Sequence, residues 1–348
     1  MPKNGGLVED SIRRINEMMG GSGASLGFAY EDCPRVPSSS CTLNYMTHGG
    51  LPRGSVVEFF GPESSGKTTT AIDFAKNMAD ILKAEGGSQK VVYIDLEQSL
   101  TPERCFVMGL DVSNTIIMKP TSMVPAEKVL NAALTLFKDG VAGCMVIDSI
   151  PTLATEDEIS KDLDEEPKRG GIAKVMTRFL KEVIPMVANS RSLLILVNQV
   201  RDSMDPYKPF VTPGGRAIKF YSFVRLQFMP GHYLNKEGEE ISGNSDVAWG
   251  ILIKVRVVKS KGFPPDRLLG EFPFMFYTGI DSVGDLALLC LSTGAISKSG
   301  SWFAFVDPDG SVMQTDDGRP AKAQGFPKAV ALLRANPKLA KACLEKIN

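Results

Sequence analysis

The sequence of 348 residues contains few of the side chains that build metal centres and disulfide frameworks. It has two histidines and six cysteines, and no two cysteines form a Cys-x-x-Cys pair. Structural zinc sites need several such ligands at close spacing, so we expect no zinc site. Scattered cysteines, together with a start that lacks an apolar leader segment, predict reduced thiols and a cytoplasmic protein.

Long apolar runs and an excess of either charge are also missing. The longest aliphatic stretch lies near 193–197, far short of the ~20 residues that cross a bilayer, so no membrane partner is expected. Thirty-nine basic residues against 40 acidic ones give a net charge of −1. This balance excludes a globally basic nucleic-acid binder but leaves a locally basic groove open.

Between about residues 50 and 260, short β-rich runs alternate with helical stretches. Strands that are buried on both faces read as continuous apolar runs, so the alternation predicts an α/β fold with a mainly parallel central sheet, to which the later runs can add antiparallel strands. The predicted strands are 55–60, 91–95, 115–118, 144–148, 193–198, 224–228 and 250–259.

The two ends of the chain differ from this core. Residues 7–19 have apolar side chains at three-to-four spacing, which predicts a short amphipathic helix that docks either on its own core or on a neighbouring copy. After about residue 282 the sequence pattern changes and predicts helices and one short β segment. We therefore expect three parts: an N-terminal docking helix and linker (1–30), the core (31–281) and a small α+β domain (282–348).

One segment carries a phosphate-binding pattern. It fits G-x-x-x-x-G-K-[ST], follows an apolar run and opens a helical stretch. The glycines let the backbone curl so that its amides face phosphate oxygens, Lys67 reaches the β- and γ-phosphates, and the Thr68 hydroxyl ligates Mg²⁺. The residues are Gly61, Pro62, Glu63, Ser64, Ser65, Gly66, Lys67 and Thr68.

Two further strands end in acids. Asp148, followed by Ser149, ends the apolar run 145–148, a Walker B pattern in which the carboxylate holds the Mg²⁺ shell through water. The run 92–97 ends in Asp95 and Glu97, either of which could activate a water for attack on the γ-phosphate. The pattern itself does not separate these two acids.

These segments resemble the bacterial RecA recombinase family. GPESSGKTT, at 61–69, matches that family residue for residue, but this loop alone would indicate only an NTPase. The segments NQVR (198–201) and GGRAIKFY (214–221) are the ones that indicate a recombinase. The likeness implies a RecA-type P-loop core with an N-terminal oligomerisation helix and a small C-terminal domain. Its segments are 49–69, 93–103, 146–153, 193–201, 213–226, 254–261 and 294–303.

The resemblance assigns roles at the nucleotide. Glu97 matches the catalytic glutamate, Gln199 the glutamine that senses the γ-phosphate, and Lys259 with Lys261 a lysine pair that reaches the ATP of the next subunit. A polar strand terminus for Gln199 and a solvated strand edge for the two lysines remain the alternatives. Lys67 completes the catalytic set. ATP contacts extend from the loop to Thr69, Arg104, Asp148 and Ser149. Arg104 stands where the family commonly stacks a tyrosine on adenine.

Two segments resemble the family's DNA-binding loops, at about 156–172 and 201–215. The first is acidic, so the basic contribution would come from the following helix, where Lys174, Thr177 and Lys181 share one face. The alternative for these three is an ordinary solvated face. The expected DNA contacts are Arg169, Lys174, Thr177, Lys181, Arg201, Tyr207, Lys208, Phe210, Gly214 and Gly215.

The C-terminal segment 318–348 has seven basic residues and one acid, Glu345. The functional interpretation is a surface that captures duplex DNA, and the alternative is a solvated helical face. The basic residues are Arg319, Lys322, Lys328, Arg334, Lys338, Lys341 and Lys346.

The resemblance as a whole implies a DNA-dependent ATPase. With ATP and Mg²⁺ it would form a helical filament of many copies on single-stranded DNA and exchange strands with homologous double-stranded DNA. Single-strand-binding protein and loader proteins are the further partners implied. Two alternatives stay open: a ring helicase or motor on the same core, and a filament mediator that does not hydrolyse ATP.

Overall fold

A computed structural model describes residues 5–20, 24–25, 34–162, 164–165, 170–202, 210–242 and 247–347. The chain divides into two units, Met1–Pro34 and Arg35–Asn348. The first unit contains helix α1 (Gly5–Met18), which confirms the predicted N-terminal helix. Its docking site stays a prediction, as does the division into three parts.

The second unit is built around one large sheet with smaller sheets beside it. In chain order the strands are β1 (Arg35–Val36), β2 (Leu51–Pro52), β3 (Ser55–Gly61), β4 (Lys90–Asp95), β5 (Thr115–Met118), β6 (Ala142–Asp148), β7 (Leu193–Gln199), β8 (Arg201–Asp202), β9 (Phe210–Val211), β10 (Val224–Leu234), β11 (Glu240–Ile241), β12 (Gly250–Ser260), β13 (Leu269–Met275), β14 (Gly279–Ile280), β15 (Ile296–Ser299), β16 (Trp302–Phe305) and β17 (Lys322–Gln324).

The large sheet follows the order β14-β13-β12-β10-β3-β7-β6-β4-β5, with β11 beside β10. From β10 to β5 the neighbours are parallel, and from β10 to β14 they are antiparallel. Both parts of the strand prediction are thus confirmed. Every residue of β3 and β6 is buried, as the continuous apolar runs require of strands covered on both faces.

Helices cover both faces of the parallel part. Side chains alternate along each strand, so Phe59 and Val146 enter the core under α3 (Lys67–Glu85). Val56 and Ile147 enter the core under α5 (Ala126–Lys138) and α7 (Gly171–Ser190). The helices are α2 (Cys41–Met46), α3 (Lys67–Glu85), α4 (Pro102–Met108), α5 (Ala126–Lys138), α6 (Glu156–Ile159), α7 (Gly171–Ser190), α8 (Arg216–Tyr221), α9 (Ser282–Thr293), α10 (Phe326–Ala335) and α11 (Pro337–Ile347). Within the described ranges, no helix has the length and apolar character needed to cross a membrane.

The C-terminal region has its own apolar core, formed by α9, α10, α11 and the antiparallel strands β15–β17. A buried carboxylate joins it to α2. Asp285 on α9 is fully buried, and its Oδ2 accepts hydrogen bonds from Ser40 Oγ (2.7 Å) and from the Thr42 amide (3.1 Å). Ser40 is itself the N-cap of α2, so Asp285 fixes that helix end to the C-terminal core.

Replacing Asp285 with alanine should lower the free energy of unfolding by about 2–3 kcal/mol, because buried donors of Ser40 and Thr42 would lose their acceptor. Urea unfolding followed by circular dichroism measures the loss. The matched control is Asp309→Ala, which makes the same chemical change at an exposed turn residue. Equal losses in the two variants would show that the Asp285 contacts do not hold this junction.

Candidate functional site

The predicted phosphate loop connects β3 to α3 at the carboxyl edge of the parallel sheet. Gly66 is the N-cap of α3 and has φ of 90°, a conformation that favours glycine. A Cβ atom at Gly66 would lie 2.4 Å from Ile253 Cδ1, and one at Gly61 would lie 2.1 Å from the Phe228 carbonyl oxygen. The close approach of the β10 backbone therefore requires glycine at 61, and the positive φ favours glycine at 66, where the Ile253 side chain of β12 also packs closely.

Lys67 begins α3 and is 7% exposed. Its Nζ donates to the Pro62 carbonyl oxygen at 2.5 Å, so the ammonium group lies inside the loop. Burial lowers the pKa of Lys67, while the nearby carboxylates of Asp148, Glu97 and Glu63 oppose that shift. A cation held among carboxylates in this way is placed to meet an anionic ligand at the loop.

Asp148 ends β6 and is fully buried. Its Oδ2 accepts hydrogen bonds from Thr68 Oγ1 (2.8 Å) and from the Tyr93 hydroxyl (2.9 Å), whereas its Oδ1 is buried without a partner. Burial raises the pKa of Asp148. A bare carboxylate oxygen beside a threonine hydroxyl suits a hard cation with oxygen ligands, so these residues fit Mg²⁺. Sequence reasoning missed Tyr93, which reads as an ordinary buried strand residue.

The structure separates the two acids that the pattern left equal. Asp95 is fully buried, accepts hydrogen bonds from the Ser99 and Leu100 amides, each at 3.0 Å, and pairs with Lys119 at 3.3 Å. Its carboxylate is thus occupied in holding the following turn.

Glu97 instead lines the cleft in front of the phosphate loop. Its Oε1 accepts hydrogen bonds from Ser149 Oγ and from Gln199 Nε2, the latter at 3.1 Å. Residues from the ends of β6 and β7 therefore converge on one carboxylate that faces the cleft.

The cleft has a volume of about 850 Å³ and two chemically different walls. The phosphate loop, Glu97, Asp148 and Gln199 form the polar wall, where Arg104 Nη2 also donates to Thr69 Oγ1 at 3.1 Å. The other wall is aromatic, and sequence reasoning missed it because its residues lie in or beside runs that resemble buried strands. Its members are Tyr233, Phe274, Phe276 and Tyr277.

Lys259 and Lys261 share one face, as their spacing predicts, but they do not line the cleft of their own chain. Lys259 Nζ donates to the Lys219 and Phe220 carbonyl oxygens at 2.7 and 2.8 Å, and Lys261 Nζ donates to that of Phe220 at 3.3 Å. Both ammonium groups therefore lie at the C-terminus of α8, where carbonyl groups favour cations. Burial lowers the pKa of Lys259, and the neighbouring Lys261 adds to that shift.

The predicted basic face on α7 is formed. Lys174, Thr177 and Lys181 line one shallow groove of about 440 Å³, and both lysines are exposed. The Thr177 hydroxyl donates to the Ala173 carbonyl oxygen at 2.6 Å, while the neighbouring Arg178 pairs with Glu182 at 2.9 Å. The geometry confirms the shared face, and its contact with DNA stays a prediction.

The second loop is closed at its base by β8 and β9, where Arg201 pairs with Val211. Phe210 is 56% exposed there. Gly214 and Gly215 have positive φ, and added Cβ atoms would lie 2.3 Å from Ile218 Cδ1 and 2.7 Å from Ala173 Cβ. Close packing against protein thus requires this glycine pair. Three further predicted DNA contacts lie outside the described residues: Arg169, Tyr207 and Lys208.

Fewer basic side chains of the segment 318–348 are available to bind DNA than their number suggests, because several of them form ion pairs. Folding brings upstream acids beside them, because β17, α10 and α11 pack against earlier elements. Lys341 pairs with Glu345 inside the segment, but the other acids precede it: Arg319 pairs with Asp317, Arg334 with Asp281 and Lys346 with Asp307. The single acid within 318–348 is therefore not the only one that opposes these bases. In the part of the chain that the structure describes, Lys322, Lys328 and Lys338 have no ion-pair partner.

A family model and three relatives agree on the family that this chain is similar to. The family model for the RecA N-terminal domain matches residues 7–281. Protein RecA from Thermus aquaticus is 34% identical over 316 residues, which cover 90% of this chain and 84% of the relative. Protein RecA from Ruminococcus albus is 33% identical over 86% of this chain and 72% of its own length. Protein RecA from Mycoplasmopsis pulmonis is 31% identical over 98% of this chain and 93% of its length.

Replacing Glu97 with glutamine should leave nucleotide binding intact and lower the hydrolysis rate by about 10²–10⁴-fold, since the substitution removes the carboxylate predicted to act as general base with little change of volume. Single-turnover hydrolysis and fluorescent-nucleotide titration measure the two effects. Lys67→Ala is the control, because it removes the cation at the phosphate loop and should lose binding itself. Hydrolysis by Glu97→Gln at the parent rate would assign the base to another group.

Proposed function

The chain belongs to the RecA family, whose members hydrolyse ATP in a DNA-dependent manner during recombination and repair, and we propose that it performs this activity as a helical filament on single-stranded DNA. The observation that carries the proposal is the convergence of Lys67, Glu97, Asp148 and Gln199 on one cleft in front of the phosphate loop. A chain that only binds DNA has no use for a carboxylate aimed into a nucleotide site.

ATP is the proposed ligand of this cleft. The loop amides and Lys67 hold the phosphates, while Thr68 and Asp148, the latter through water, would hold Mg²⁺. When bound, Mg²⁺ neutralises charge on the phosphate oxygens. Glu97 orients and deprotonates the attacking water, and Gln199 reports whether a γ-phosphate is present. The shared hydrogen bond between Gln199 and Glu97 supports a link between these two roles.

The nucleobase is proposed to lie between Arg104 and the aromatic wall. One guanidinium nitrogen of Arg104 bonds to Thr69, which holds its plane at the edge of the cleft. Tyr277 and Phe276 line the same cleft from the turn after β13. A planar base can stack on a guanidinium and on an aromatic ring alike.

Lys259 and Lys261 are proposed to serve the nucleotide of the neighbouring copy. Their position at the end of α8, away from their own cleft, supports delivery in trans. In that role they would neutralise transition-state charge as an arginine finger does. Phe220 lies beside these lysines and is 70% exposed, which supports a surface that another copy covers.

DNA is proposed to contact three surfaces. The groove of Lys174, Thr177 and Lys181 and the second loop, with Arg201 and Phe210, would hold the single strand by charge and stacking. The unpaired Lys322, Lys328 and Lys338 are the remaining candidates for duplex capture. The resemblance alone predicts DNA contacts by Arg169, Tyr207 and Lys208, and it alone predicts single-strand-binding protein and loader proteins as partners. A cytoplasmic location stays a prediction from the scattered cysteines and the start of the sequence.

The test is ATP hydrolysis with and without single-stranded DNA, run beside strand exchange with homologous and heterologous duplexes. We expect hydrolysis to rise on adding the single strand, and only homologous duplex to exchange, because pairing reads the sequence. Electron microscopy with an ATP analogue should show filaments. Rings with translocation would support a motor instead, and DNA binding without hydrolysis would support a mediator.

Double replacement of Lys174 and Lys181 by alanine should weaken binding to all single-stranded sequences alike. It should also flatten the slope of log affinity against log salt by roughly 1.4, at about 0.7 for each lost phosphate contact. Fluorescence anisotropy across a salt series measures the slope. The control is Lys138→Ala at the end of α5, which removes an exposed positive charge that does not line this groove. An unchanged slope in the double variant would make these lysines a solvated face.

A further inference from the structure

Three buried polar side chains cross the centre of the sheet behind the cleft. Glu58 on β3, Asn198 on β7 and Arg225 on β10 lie on neighbouring strands and are at most 9% exposed. Arg225 Nε donates to Glu58 Oε2 at 2.5 Å, and Asn198 Nδ2 donates to Glu58 Oε1 at 3.0 Å. Each oxygen of the Glu58 carboxylate therefore has its own donor, from a strand on either side.

Asn198 extends this network to two functional regions. Its Nδ2 also donates to the Pro213 carbonyl oxygen at 3.0 Å, where the second loop ends. Its Oδ1 accepts from the Gln199 amide at 3.0 Å, and the Gln199 side chain bonds to Glu97 in the cleft. One side-chain amide thus joins the sheet centre, the cleft residue Gln199 and the end of the second loop.

We propose that Asn198 is a positioning residue that couples the arrangement of Gln199 in the nucleotide cleft to the arrangement of the second loop. The inference rests on the proposed function, in which the cleft holds ATP and the second loop holds single-stranded DNA. It assigns to Asn198 no contact with either ligand. Its role is to make the two arrangements depend on each other.

The coupling follows because the hydrogen-bonding groups of the Asn198 side chain are already engaged. A fully buried amide whose donors and acceptor are all engaged loses a hydrogen bond whichever way it turns. A shift of the Gln199 backbone therefore moves the Asn198 amide, and with it the acceptor at Pro213. The Glu58 carboxylate resists this rotation because Arg225, stacked over the Phe60 ring at 4.5 Å, holds it from the other side.

Packing gives the loop end a second contact with the cleft. A Cβ atom on Gly214 would lie 3.1 Å from Ile150 Cγ2, and Ile150 follows Ser149, which donates to Glu97. The backbone at 213–215 is therefore confined between Asn198 on one side and the residue after Ser149 on another. A confined segment of this kind passes on small displacements, which a mobile one would absorb.

The experiment measures the coupling itself. The apparent Kd for a labelled oligo-dT strand is determined with and without a non-hydrolysable ATP analogue, and the ratio of the two values is the coupling. We expect Asn198→Ala to reduce this ratio at least about fivefold, with affinity in the absence of nucleotide held within about twofold of the parent. If Asn198→Ala does not fold, Asn198→Leu takes its place, because leucine is close to asparagine in size, carries no charge and also lacks both donors.

The matched control is Ser192→Ala. Ser192 is fully buried just before β7 begins, and its hydroxyl donates to the Ala142 carbonyl oxygen at 2.6 Å. This variant loses a buried hydrogen bond at the opposite end of the strand and should keep the parent ratio. A parent-like ratio in the Asn198 variant, or an equal fall in Ser192→Ala, would overturn the inference alone. Absence of single-strand binding in the parent chain would overturn the proposed function first.

Discussion

The parallel register of the central strands is the constraint on which the site depends. Gly61 at the end of β3 pairs with Gln199 at the end of β7, and Asp95 at the end of β4 pairs with Asp148 at the end of β6. Because parallel strands end at the same edge, four segments far apart in sequence bring residues at or just after their strand ends to one cleft. A shift of one strand by one residue would turn its polar end towards a helix layer.

At this edge of the sheet, burial disfavours charged side chains, and contacts between those side chains offset the cost. Lys67 and Asp148 are both largely removed from water, and burial disfavours the charged form of each. Their mutual attraction, the bonds from Thr68 and Tyr93 to Asp148, and the bond from Lys67 to Pro62 offset that cost. An anionic ligand with a hard cation supplies the missing partners, since one oxygen of Asp148 has none. The carboxyl edge of the sheet is therefore arranged to bind an anionic ligand together with a hard cation.

The sequence predicted what depends on local pattern and left out what depends on distant contacts. Buried strands, the phosphate loop and the shared face of Lys174 and Lys181 follow from spacing, and all are present. The Tyr93 bond to Asp148 and the aromatic wall do not follow, because an aromatic residue in a buried strand has the same appearance whether or not it meets a cleft. The ion pairs of Arg319 and Arg334 depend on acids brought in by tertiary packing, which a count along the segment cannot register.

Helix α8 shows how these parts combine. Its N-cap is Gly215, whose positive φ ends the second loop, and its C-terminal carbonyl groups hold Lys259 and Lys261. Six residues of helix span ~9 Å, so the loop and the lysine pair are connected by one short rigid element. The same loop end is tied to Gln199 through Asn198. In the proposed filament, a strand bound in the second loop would act on the chain's own nucleotide through Asn198 and on its neighbour's nucleotide through α8. This arrangement would give the proposed filament a physical reason to hydrolyse ATP in response to DNA.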